Sequence, residues 1–79
     1  MKVNEGQRVK VRDDYHWANG AIGTVLIHPA NKSLTRTVKA RIGEKAFVWI
    51  KFDSGQIDAD GDGPYGEAEI DLDFVEPAT

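Results

Sequence analysis

Residues 35–42 and 46–53 read as the two arms of one hairpin, and that reading limits what the rest of the chain can build. Val38, Ala40 and Ile42 alternate with Thr37, Lys39 and Arg41, the period-2 pattern of a strand with one buried face. Gly43, Glu44 and Lys45 form a turn of the length that joins antiparallel strands. The chain returns through AFVWIKFD, rich in β-branched and aromatic side chains. Alternation puts Val48, Ile50 and Phe52 on one face and Phe47, Trp49 and Lys51 on the other, and the first face is predicted to be core.

The other segments are short and of the same kind. Val9 and Val11 alternate with Arg8, Lys10 and Arg12 in residues 7–12, and residues 21–28 make a second strand that Pro29 stops. Between them, DDYHWANG in residues 13–20 reads as a loop. Residues 30–34 read as a polar connection and 54–66 (SGQIDADGDGPYG) as a long acidic loop. Ile70 and Leu72 mark a single helical turn, and Phe74-Val75 a last short strand ended by Pro77. No segment repeats apolar residues at i, i+3, i+4 and i+7 over three turns, so almost no α-helix is expected. A 79-residue chain makes one domain with a thin core. The expected fold is all-β: a five-stranded small barrel with a long acidic loop before the last strand, because closure protects the edges of so short a sheet.

Charge is divided along the chain. Residues 1–52 hold all ten Lys and Arg against four acids, a formal +6; residues 53–79 hold nine acids and no base, −9; together they give the net −3. Either the acidic third folds back onto the basic body, or each surface meets a partner of opposite sign. The absence of cysteine removes disulfides, thiolate zinc sites and cysteine nucleophiles, and fits a reducing, cytoplasmic setting. No apolar run approaches the roughly 18 residues of a membrane span.

Two stretches carry a family resemblance. Glu5-Gly6-Gln7-Arg8-Val9-Lys10-Val11, followed by Gly20-Ala21-Ile22-Gly23-Thr24-Val25, resembles the opening of KOW-type barrels, which are Src-homology-3-like (SH3-like). The aromatic loop Tyr15-His16-Trp17-Ala18-Asn19 before Gly23-Thr24-Val25, the strand Val48-Trp49-Ile50-Lys51-Phe52 and the closing Phe74-Val75-Glu76 are similar in order to the small-barrel family of photosystem I, found in cyanobacteria and plastids. The resemblance implies an SH3-like barrel. The photosystem I family also implies docking of a protein partner, at the periphery of a membrane complex. This chain departs from that family in a longer 13–20 loop and in the acidic stretch after Asp53.

Residues 58–69 match the calcium-loop pattern D-x-[DN]-x-[DN]-G-x5-E, with Asp58, Asp60, Asp62 and Glu69 as ligands and Gly63 at the sharp turn. The flanks exclude a helix–loop–helix, and an Asp- and Gly-rich loop can produce the same match by composition. Tyr15, Trp17, Phe47 and Trp49 form an aromatic constellation beside Lys39 and Arg41 that would bind a partner; the alternative is that Trp17 lies over Trp49 and plugs one end of the barrel. His16 and His28 are isolated and read as polar surface. No Ser–His–Asp order or phosphate-cradling loop can be built, so no catalytic residue is expected. The leading expectation is a non-catalytic module that binds a protein, as an adaptor or accessory subunit, without cofactor. The alternatives are a KOW-like RNA- or ribosome-associated module using Arg8, Lys10, Arg12, Lys39 and Arg41, and a calcium-binding module using residues 58–69.

Overall fold

The computed structural model describes residues 3–29 and 39–78. It consists of β1 (Arg8–Val11), β2 (Ile22–Leu26), β3 (Lys39–Ile42), β4 (Lys45–Gln56), β5 (Tyr65–Asp71), a 3-10 turn at Leu72–Phe74 and β6 (Val75–Pro77). All pairings are antiparallel. No α-helix occurs among the described residues, and no helix there is long and apolar enough to cross a membrane. The part of the third expected strand at residues 35–38, and the 30–34 connection, lie outside the described residues.

β4 is the axis of the sheet. One edge pairs with β5, from Phe47↔Asp71 to Lys51↔Glu67. The other edge pairs with β2 through Gly23↔Phe52 to Leu26↔Trp49, and with β3 through Lys39↔Val48 to Ile42↔Lys45. β2 and β3 therefore lie end to end along β4. Among the described residues, six strands occupy five positions, β5, β4, β2 with β3, β1 and β6, and the sheet curls into a half-barrel consistent with a small SH3-like barrel. The hairpin between β3 and β4 turns on Gly43 and Glu44, with a positive φ of 63° at Gly43 only, a conformation that suits glycine at the first turn position.

The inner face follows the expected alternation. Val9 and Val11 of β1, Val25 of β2, and Val48, Ile50 and Phe52 of β4 are buried together, joined by Ile70 of β5 and Val75 of β6. Fully burying one such aliphatic side chain contributes about 1.5–3 kcal/mol. A domain of this size has a net stability of only about 4–12 kcal/mol, so few of them are dispensable. Gly23 lets β2 lie close against β4: a Cβ at that position would fall 2.4 Å from the Lys51 carbonyl oxygen and 2.7 Å from Ile50 Cγ2.

One sequence-based expectation is corrected here. The acidic stretch is not one long loop, because residues 54–56 continue β4 and residues 65–71 form β5. Gly66, Ala68 and Ile70 alternate with Tyr65, Glu67, Glu69 and Asp71, and the β4 ladder supplies the pairing that such a polar segment lacks by itself. The expected helical turn near Leu72 is the 3-10 turn, with the Asp71 carboxylate accepting from the Asp73 N–H at 2.9 Å.

The acidic third folds back onto the basic body. Arg8 on β1 donates from Nη1 to Asp53 Oδ1 at 2.7 Å and to Thr24 Oγ1 at 2.9 Å, and its Nη2 also pairs with Asp53. Arg12 meets Glu76 at 3.0 Å, and Lys45 meets Asp71 at 3.6 Å. These exposed pairs contribute little stability singly. Their consequence is that three of the nine acids of residues 53–79, Asp53, Asp71 and Glu76, are paired with bases from the first part of the chain.

Candidate functional site: an aromatic and acidic groove

The 13–20 loop is a compact, hydrogen-bonded structure. Successive turns are closed by His16 N–H to Asp13 O and Asn19 N–H to His16 O, each 3.0 Å, and Gly20 N–H returns to Val11 O at 2.8 Å. Asp13 Oδ1 accepts from Tyr15 N–H, and Asn19 Oδ1 accepts from Asp13 N–H. Ala18 is fully buried beneath the loop. Tyr15 is 100% exposed, whereas Trp17 packs partly into the core.

Trp17 is the centre of a chain of rings. It stacks on His16 at 5.6 Å, meets Phe52 edge-on at 6.1 Å, and meets Tyr65 of β5 at 5.8 Å with the ring planes 69° apart. His16 in turn contacts Phe74 at 5.4 Å. Burial holds the His16 imidazole below its ordinary range, partly offset by Asp13 and Asp71. Its Nδ1 accepts a hydrogen bond from Ala18 N–H at 3.0 Å, which requires that nitrogen to be unprotonated.

Trp17 and Tyr65 wall a groove of about 490 Å³ that is also lined by Asp58, Asp60, Glu67 and Ala68. A second groove of about 310 Å³ is lined by Trp49, Leu26, Pro29, Glu5 and Glu67. Glu67 lines both. The Trp49 indole N–H donates to Glu67 Oε1 at 2.6 Å, which fixes the carboxylate at the junction. An indole N–H is a neutral donor, so the negative charge of Glu67 stays uncompensated by that bond.

The predicted aromatics therefore do not form one surface. Phe47 and Trp49 project from the outer face of β4, half-buried, while Trp17 reaches Phe52 on the inner face. Trp49 meets His28 edge-on at 5.8 Å, and Trp17 meets Tyr65. Of the predicted basic companions, Arg41 is exposed and Lys39 half-buried on β3. The reading of His28 as polar surface is corrected: it is 4% exposed, with Nε2 2.6 Å from Glu69 Oε2. Two strands, β4 and β5, and the end of β2 enclose it, a long-range arrangement that a lone histidine before a proline does not signal.

Three of the four predicted metal ligands come together. Asp58, Asp60 and Asp62 each offer an oxygen within 4.8 Å of the others, and the grouping does not include Glu69, whose carboxylate engages His28. Asp58 Oδ1 accepts from the backbone N–H groups of Asp60 and Asp62 at 2.9 and 3.0 Å, and Oδ2 accepts from the Tyr65 hydroxyl at 2.9 Å. These donors, the Asp62 N–H foremost, hold the Asp58 carboxyl below the usual range, and the same contact raises Tyr65. Tyr65, Glu67 and Asp58 are the groove residues that sequence reasoning did not group with Trp17; the isolated tyrosine within an acidic run was the available signal.

No protein-family model, curated protein or solved structure matches this chain.

Proposed function

We propose that this domain is a non-catalytic SH3-like binding module, an adaptor or accessory subunit that docks a protein partner across the joined grooves of Trp17–Tyr65 and Trp49. The observation that carries the reading is the Trp17–Tyr65 corner. Two large rings stand nearly at right angles beside a groove, and aromatics bury much area at low entropic cost. The sequence resemblance to the photosystem I barrel family, which implies docking of a protein partner, agrees with this role. An RNA-binding role is less favoured, because Arg8 and Arg12 are engaged by Asp53 and Glu76. Affinity capture from source lysate at two salt concentrations, with the native domain and a Trp49→Ala variant, tests the reading. A protein retained at both salts and lost with the variant supports it. A nucleic acid released steeply as salt rises overturns it.

A second reading, weak calcium binding, is favoured by the proximity of the Asp58, Asp60 and Asp62 carboxylates. Calcium titration should then move the amide signals of residues 58–69 at sub-millimolar metal, and flat signals exclude it.

A further inference from the structure

We propose that the Trp17–Tyr65 groove takes a lysine or arginine side chain from an extended basic segment of the partner, a proposal that rests on the binding-module reading and specifies its ligand. Three features converge on a cation. The Trp17 and Tyr65 rings meet at 69° and form a corner in which an ammonium or guanidinium group lies against a negative π-face. Asp58, Asp60 and Glu67 line the same groove, so the aromatic corner is set among carboxylates. Finally, Glu67 is held by the Trp49 indole at the boundary with the second groove, which Leu26 and Pro29 line. An extended segment crossing the boundary would place one cationic side chain at the corner and lay an apolar neighbour against Leu26 and Trp49. The sign is opposite to that expected from the basic hairpin. An acidic segment would bring its carboxylates against three others in one groove, an arrangement that like-charge repulsion disfavours.

The test is a titration of the isotope-labelled domain with three short extended peptides, identical except for a central Lys-Gly-Arg, Gln-Gly-Gln or Glu-Gly-Glu, followed by amide and indole N–H signals. The basic peptide should shift the signals of Trp17, Tyr65, Glu67 and Ala68 and the Trp49 indole. Its affinity should exceed that of the neutral peptide and fall about three- to fivefold in Glu67→Gln, the size expected for one exposed charge contact. Asp60→Asn, which leaves Asp58 in place, should weaken it in the same direction. Equal binding of all three peptides overturns the cationic assignment and leaves the groove as a docking site. No groove shift from any peptide overturns the assignment and removes the groove from the binding-module reading as well.

Discussion

The Tyr65 hydroxyl donates to Asp58 Oδ2 at 2.9 Å, while the other oxygen of that carboxylate gathers the Asp60 and Asp62 N–H groups. A single carboxylate thus closes the 58–62 turn and positions one ring of the groove. Because these bonds depress its pKa in the folded chain, the stability they add is present above the ordinary aspartate value of about 3.9 and is lost as pH falls through the lower folded value. Tyr65→Phe keeps the ring and removes one donor. The Asp58 carboxyl should then titrate at higher pH by NMR; an unmoved midpoint would show that the phenol does not hold it.

Burial of His16 has the same sign at higher pH. Its folded pKa lies below the ordinary histidine value of about 6.5, so the unfolded chain takes up the proton first. The stability from the neutral ring is present above that value and lost as pH falls through the folded one. The imidazole carbon-bound proton signals of His16 should show a midpoint below that of a histidine in a short peptide. A midpoint at or above it would contradict the packing of the 13–20 loop.

Ile50→Ala should cost about 2–5 kcal/mol in urea unfolding, because Ile50 is 1% exposed at the centre of the inner face. A loss below about 1 kcal/mol would place Ile50 outside the core.

Gly23→Ala should destabilise by about 1–3 kcal/mol, since the new methyl would press on the Lys51 carbonyl and Ile50 and force β2 away from β4. Gly6→Ala has open space at its Cβ but a φ of 86°, so its cost would come from backbone strain alone. Amide exchange separates the two, as only the Gly23 variant should loosen the β2–β4 ladder.

The inner face was legible in the sequence because Val9, Val11, Val48, Ile50 and Phe52 obey a two-residue period on strands buried on one side. β5 was not. Ile70 is its one fully buried side chain, Gly66 and Ala68 on the same alternation are too small to mark a buried face, and its outward Glu67, Glu69 and Asp71 read as loop composition. Its strand character comes from the pairing edge of β4, which no local window contains. The same holds for the site. Trp17 and Trp49 stood out as large aromatics, yet Trp17 finds Tyr65 only when the sheet curls, and the contacts of buried His28 with Glu69 and Trp49 likewise come from strands distant in sequence.

The central claim is most directly tested by mapping, on the isotope-labelled domain, the amide and indole signals perturbed by the protein partner recovered in affinity capture. The account predicts perturbations concentrated at Trp17, Tyr65, Glu67, Ala68 and the Trp49 indole. Perturbations confined to Lys10, Arg12 and Arg41, with the groove signals unmoved, would contradict it.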